Sequence, residues 1–261
     1  MAELYIIKIG GNIIDDEEKL SSFLQEFAAI KSDKILVHGG GKLATAMADK
    51  LDIPQQLIEG RRITDAETLK IITMVYAGYI NKSIVAKLQA NNCNAVGMCG
   101  ADANIIQAHK RIHHSIDYGF VGDVDLINNA FLELLLNNKM VPVIAPISND
   151  GKGQLLNTNA DTIAQELAKS LSALHEVTIV YCFEKNGVLK NVEDDSSVIR
   201  TINASLYHQL KAEGAIFAGM LPKLNNSFEA LNAGVKKVII GNAAYLNTLI
   251  SGDGGTVITK Q

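Results

Sequence analysis

The stretch LVHGGGK, residues 36–42, carries an apolar run straight into three glycines and a lysine. LYIIKIGGN, residues 4–12, repeats the design with a lysine two places before its glycine pair. Each reads as a buried strand ending in a tight turn just before a helix. If the two strands are parallel neighbours, their turns lie side by side at the carboxyl edge of a sheet, where α/β proteins bind ligands. Glycine lets the backbone approach closely, so N–H groups from both turns can converge on one multiply charged anion, and Lys8 adds a point charge. Either glycine pair alone is equally well explained as the closure of a turn.

Other readings of the glycine run fit less well. A P-loop requires GxxxxGK[ST], but Leu36 stands at the first glycine and Leu43 follows the lysine. The HGGG run also suits the oxyanion loop of an α/β-hydrolase, yet no G-x-S-x-G elbow occurs anywhere in the chain. Gly39, Gly41 and Ala44 do satisfy the dinucleotide pattern G-x-G-x-x-A, with Glu59 near the place of a ribose-binding acid. That loop follows the second strand rather than the first, however, and Glu59 falls in an irregular stretch.

Outward from these turns, strands and helices alternate. Residues 15–30 place Leu20, Phe23, Leu24 and Phe27 at helical spacing behind an acidic first turn. A short helix is expected from Lys42 to Leu51, an irregular stretch from Pro54 to Ile63, and a long helix from a Thr64/Glu67 capping box to Asn91. Residues 102–126 read as β-hairpins. MVPVIAPI (140–147) and VTIVYCF (177–183) read as strands, and the segments that start at Asn159, Asn203 and Leu221 read as helices. The alternation implies a largely parallel sheet covered on both faces. A composition shift at Ser172–Glu176 marks the expected boundary between two lobes, 1–173 and 174–261.

With 261 residues, 48% hydrophobic and 20% charged, the chain has the composition of a soluble globular protein. No apolar run is long enough to span a membrane and no cleavable signal is evident, which places the expectation in the cytoplasm. The net charge of −4, without a basic run, argues against nucleic acid as a partner. Cys93, Cys99 and Cys182 form no CxxC pair and read as buried thiols.

Five segments in order, KIGGN (8–12), VHGGGK (37–42), EGRRIT (59–64), LLNTNAD (155–161) and AGMLPK (218–223), resemble the amino acid kinase family over about residues 4–258. The last three resemble its acylglutamate branch. The resemblance implies an αβα sandwich with an acylglutamate-binding N-terminal lobe and a nucleotide-binding C-terminal lobe. The implied reaction moves the γ-phosphoryl of ATP onto the γ-carboxylate of N-acetyl-L-glutamate, without a covalent intermediate. It also implies the site. Lys8 and Lys223 would neutralise the transferring phosphoryl group, with Asp161 fixing the two lysines. Gly10, Gly11 and Gly40 would bind phosphoryl oxygens. Gly40, Gly41, Arg62 and Asn157 would hold the acylglutamate. Glu184, Gly187, Gly219, Met220 and Lys223 would hold the nucleotide. Magnesium would travel on the ATP phosphates rather than in a protein cage. A carboxylate nucleophile has no proton to remove, so the lack of a Ser/His/Asp or Cys/His constellation is consistent with this chemistry.

Some features depart from the family's pattern or lie outside it. FEKNGV (183–188) replaces a turn that usually begins with aspartate, so Glu184 keeps the acid one methylene longer. Arg61 stands where relatives are often apolar; it reads either as a solvated arginine or as a group favouring an N-succinylglutamate substrate. A non-catalytic sensor of the same fold is the alternative outside enzymes. His38 reads as a support for the glycine loop. His109 and His113 are four apart, but on a hairpin that spacing does not make a metal pair. The helix 65–91, with apolar Ile71, Ile72, Val75 and Tyr76, is the expected homodimer interface. The early arrival of Lys8 leads to the expectation of an arginine-insensitive dimer.

Overall fold

The computed structural model describes residues 1–58, 61–191, 193–213 and 220–260. Strand β1 (Glu3–Ile9) leads into a one-turn helix α1 (Gly11–Ile14) and then α2 (Glu17–Ala29), capped by Asp16, whose carboxylate accepts from the Lys19 N–H. β2 (Asp33–His38) leads into α3 (Gly41–Lys50). The stretch expected to be irregular contains a two-stranded ribbon, β3 (Leu57–Ile58) with β4 (Arg61–Arg62).

The long helix is present, with two corrections. Its N-cap is Asp65, which accepts from the Thr68 N–H, and not Thr64. Thr64 is fully buried and its hydroxyl donates to the Arg62 carbonyl, so its side chain is already committed. The helix is also not uniform: α4 (Ala66–Thr73) widens into a π-helical turn, Met74–Ile80, before α5 (Asn81–Ala90).

The hairpin expected in 102–126 is β6 (Ile106–Lys110) paired antiparallel with β7 (Gly122–Ile127), after β5 (Ala95–Met98). Helix α6 (Asn129–Asn137) follows. MVPVIAPI forms two strands instead of one, β8 (Val141–Ile144) and β9 (Ile147–Asn149), in different sheets. The break falls at Ala145–Pro146, where proline cannot donate to a ladder. β10 (Leu155–Asn157), α7 (Ala160–Leu171) and β11 (Glu176–Phe183) come next. β12 (Thr201–Ile202), α8 (Ala204–Ala212), α9 (Leu221–Asn232), β13 (Lys237–Asn242), α10 (Leu246–Ser251) and β14 (Thr256–Ile258) complete the chain.

Among the described residues, eight strands form one sheet in the order β12-β14-β13-β11-β1-β2-β8-β5, parallel except where β13 meets β14. β10-β9-β6-β7 form a second, smaller sheet. β1 sits near the centre of the large sheet and alternates strictly. Leu4 and Ile6 join the core beneath α6, α7 and α9, while Tyr5, Ile7 and Ile9 join the core beneath α2, α4 and α5. Both faces of β1 are thus apolar until Lys8, whose side chain emerges on the α7–α9 side. The result is an αβα sandwich, as expected.

Candidate active site

β1 and β2 are parallel neighbours in register, so their glycine turns lie together at the carboxyl edge, as the sequence suggested. The turns are bonded directly: the Gly39 N–H donates to the Ile9 carbonyl at 3.0 Å. Beneath them lies the fully buried His38, whose ring bridges the Gly39 carbonyl (2.8 Å) and the Asn81 amide (3.1 Å). Burial pulls its pKa down to about 4, so near neutral pH the ring is an uncharged brace for the loop. Gly40 has φ +150°, and a Cβ there would sit 2.3 Å from Ile80 Cδ1 and 3.1 Å from the Tyr76 ring. The π-helical turn supplies both of these neighbours, so the third glycine of the run is required by close approach as well as by conformation.

Two cavities meet at these turns. One, of about 280 Å³, is lined by Lys8, Gly10, Gly11, Gly39, Gly40, Gly41, Arg62, Tyr76, Asn157 and Asp161, with Arg61 and Arg111 on its wall. The other, of about 590 Å³, is lined by Gly10, Gly11, Gly41, Lys42, Phe183, Glu184, Gly187, Met220 and Lys223. Gly10, Gly11 and Gly41 belong to both.

At the junction stands Asp161, in the first turn of α7, whose N-cap Asn159 accepts from the Asp161 and Thr162 N–H groups. Lys8 Nζ lies 2.8 Å from its Oδ1, and Lys223 Nζ donates to its Oδ2 at 2.8 Å. Burial alone would raise this carboxyl's pKa, but the two ammonium groups outweigh it and hold the pKa at about 2. Both lysines also lie over the Phe183 ring, Lys223 at 4.2 Å and Lys8 at 5.7 Å from its centroid. The site therefore presents two oriented cations and one fixed anion, carrying a net positive charge where the cavities join.

In the smaller cavity the buried Arg62 is anchored by donating to the Gly41 carbonyl (3.0 Å), the Thr45 hydroxyl (2.9 Å) and Gln55 Oε1. The Asn157 amide donates to the Thr64 hydroxyl at 3.0 Å, which leaves its carbonyl oxygen for other contacts. Arg111 is clamped bidentately on Asp123, whose carboxyl it holds below the usual range.

Every anticipated site residue that can be placed lies on one of these two cavities; Gly219 falls outside the described residues. Tyr76, Arg111 and Phe183 also line them, although the sequence reading assigned none of them to the site. Tyr76 was read as part of a helix face, and Arg111 and Phe183 enter through loop and strand ends far away in sequence. His109 pairs with Asp125 at 2.7 Å on the exposed side of the hairpin. Ile71, Ile72, Val75 and Tyr76 point inward from the helix expected to form the dimer interface. They are 0–6% exposed and packed into the core, because the sheet occupies that side of the helix. Met74 and Tyr79 face outward instead, at 59% and 69% exposed.

The family model described as "Amino acid kinase family" matches residues 3–242. The chain is a member of the amino acid kinase family. Proteins named acetylglutamate kinase from Cytophaga hutchinsonii and Bacteroides fragilis are 58% and 54% identical to it, covering 100% and 99% of this chain and 98% and 97% of their own. A solved structure from Streptococcus mutans matches with a TM-score of 0.78 at 25% identity over 99% of both chains. Among its described residues no helix is long and apolar enough to cross a membrane.

Proposed function

We propose that this chain transfers the γ-phosphoryl of ATP to the γ-carboxylate of N-acetyl-L-glutamate, a step of arginine biosynthesis. One observation carries the reading: a single carboxylate holds two lysines apart at the junction of two cavities of different character. The smaller cavity, with a buried arginine and an asparagine, suits a short dicarboxylate with an amide. The larger, whose wall includes Phe183, Val188, Leu189 and Met220, suits a nucleotide. The acetylglutamate kinase names of the relatives point the same way.

Bringing a carboxylate against a phosphoryl group joins two anions, so positioning and charge neutralisation are the main tasks. Arg62 and Asn157 hold the α-carboxylate and amide end of the acylglutamate, which aims its γ-carboxylate at the glycine turns. Gly10, Gly11 and Gly40 offer backbone N–H groups to the phosphoryl oxygens, together with Gly41 at the start of α3. Lys8 neutralises the group in flight and Lys223 neutralises the leaving ADP, both aimed by Asp161. Glu184, Gly187 and Met220 line the nucleotide's place. Glu184 is the one carboxylate on that wall among the described residues, too few for a metal cage, so magnesium fits as a passenger on the phosphates. Transfer is in-line and no enzyme group becomes phosphorylated.

The same proposal assigns residues 1–173 to the acylglutamate lobe and 174–261 to the nucleotide lobe. It also includes a homodimer through the outward side of the 65–91 helix at Met74 and Tyr79, and a cytoplasmic location, where ATP is available. A second reading, N-succinyl-L-glutamate as the acceptor, is favoured by Arg61 and Arg111 on the acceptor cavity's wall. The test is to trap the acyl phosphate as its hydroxamate with each acceptor, using wild type and Arg61→Ala. Turnover of N-acetyl-L-glutamate supports the proposal. An acetyl-to-succinyl ratio that Arg61→Ala leaves unchanged removes the role for Arg61, and binding of either acceptor without turnover points to a sensor.

A further inference from the structure

The lysines around the nucleotide cavity are not equally committed. Lys223 is bonded to Asp161, and Lys185 donates to Asp195 at 2.9 Å. Lys42 lines the same cavity in the first turn of the ten-residue helix α3, and among the described residues its ammonium makes no hydrogen bond or ion pair. Its charge is felt by the Asp15 carboxylate, on the other side of Gly11. A Cβ built on Gly11 would lie 3.5 Å from Asp15 Oδ2, 3.9 Å from Lys42 Cγ and 4.0 Å from the Lys42 backbone nitrogen. The stem of Lys42 thus runs along a glycine shared by both cavities. The first intrahelical bond of α3 is from Ala44 N to the Gly40 carbonyl, so the Lys42 N–H has no helical acceptor either.

The charge at the junction is incomplete without it. Lys8 and Lys223 share one carboxylate, so the trio carries a net charge of about +1. A nucleoside triphosphate meeting a carboxylate brings several negative charges, part of which a magnesium ion offsets. Lys42, exposed beside the turns and lining this cavity, is a protein cation on the α3 side, opposite α9 and Lys223.

We propose that Lys42 is a third cationic contact to the terminal phosphates of the nucleotide, acting with the α3 backbone from the side opposite Lys223. This rests on the nucleotide reading of the larger cavity but not on the identity of the acceptor. ATP would be held between two lysines from different lobes, Lys42 and Lys223, while Lys8 attends the acceptor side. Lys42 then acts mainly on nucleotide binding, and its removal raises KM for ATP while sparing KM for the acceptor.

The test is calorimetric Mg-ATP binding and steady-state kinetics for wild type, Lys42→Met and Lys42→Arg, with thermal unfolding as the control for folding. Lys42→Met is expected to weaken ATP binding about 10- to 100-fold, the range for one charge-assisted contact, with acceptor KM within about twofold. Lys42→Arg is expected to recover most of the loss, and the salt dependence of ATP binding to become shallower in Lys42→Met. Lys42→Met binding ATP within twofold of wild type overturns the proposal while leaving the kinase reading intact. Wild type that binds no ATP overturns both.

Discussion

Replacing Asp161 with asparagine preserves volume and leaves the Asn159 cap of α7 in place, so it isolates the charge between the two lysines. In the folded protein this carboxyl titrates at about 2 against an ordinary 3.8, held down by Lys8 and Lys223 against the opposing effect of burial. At 1.36 kcal/mol per unit, a difference of this size stabilises the fold by on the order of 2 kcal/mol at neutral pH. Because the folded pKa is depressed, the contribution is complete above about pH 5 and fades as pH falls through 3.8 toward 2. Asp161→Asn should therefore lose on the order of 2 kcal/mol in urea unfolding at pH 7, and the gap to wild type should narrow as the pH falls toward 2. The protonation of His38 affects both proteins alike and cancels in the difference. Catalytically, two lysines without their organiser repel each other, and kcat should fall on the order of 100-fold, the scale for one preorganised electrostatic contact. A variant with wild-type stability at pH 7, or with a gap that does not narrow in acid, would refute the electrostatic account of this cluster.

Further predictions concern the surrounding residues. Gly40→Ala combines an unfavourable φ of +150° with a Cβ 2.3 Å from Ile80 Cδ1, so it should destabilise the protein by about 2–4 kcal/mol and raise acceptor KM; an unchanged thermal midpoint contradicts this. Arg62→Lys cannot reproduce the fork on Gly41, Thr45 and a carboxylate, so acceptor KM should rise about 10-fold or more with ATP KM little changed, as initial-rate kinetics would show. The His38 ring should not titrate in NMR until about pH 4, and its late protonation should lower stability by about 3 kcal/mol as pH falls from 6.5 to 4; a midpoint near 6.5 contradicts its buried, braced position.

The sequence made the sheet legible because its strands are unbroken apolar runs between helices with clear caps and spacing, and β1 and β2 could be paired through their matching glycine turns. It could not show that β11 lies on the other side of β1. That pairing, with α7 and α9 packed on the same face, brings together Lys8, Asp161 and Lys223, which are spread over more than 200 residues of sequence. Motif resemblance located those residues, whereas periodicity could not. Features that depend on one residue's local commitments were misread: Thr64, occupied by the Arg62 carbonyl, could not be the cap, and Pro146 ended a strand that hydropathy alone would continue. Tyr76 reaches the site from a π-helical turn that packs on Gly40, and helical spacing does not reveal such a turn. Which face of that helix points outward was not legible for a related reason, since a run apolar on several sides does not say which side the sheet will cover.

The most direct measurement is single-turnover transfer of labelled γ-phosphoryl from Mg-ATP to N-acetyl-L-glutamate, by wild type and Lys8→Met, with both ligands saturating. The account predicts acyl phosphate formed by wild type, and transfer at least 100-fold slower in Lys8→Met although both ligands remain bound. Wild type that binds both ligands yet forms no acyl phosphate, or Lys8→Met that transfers at the wild-type rate, would contradict it.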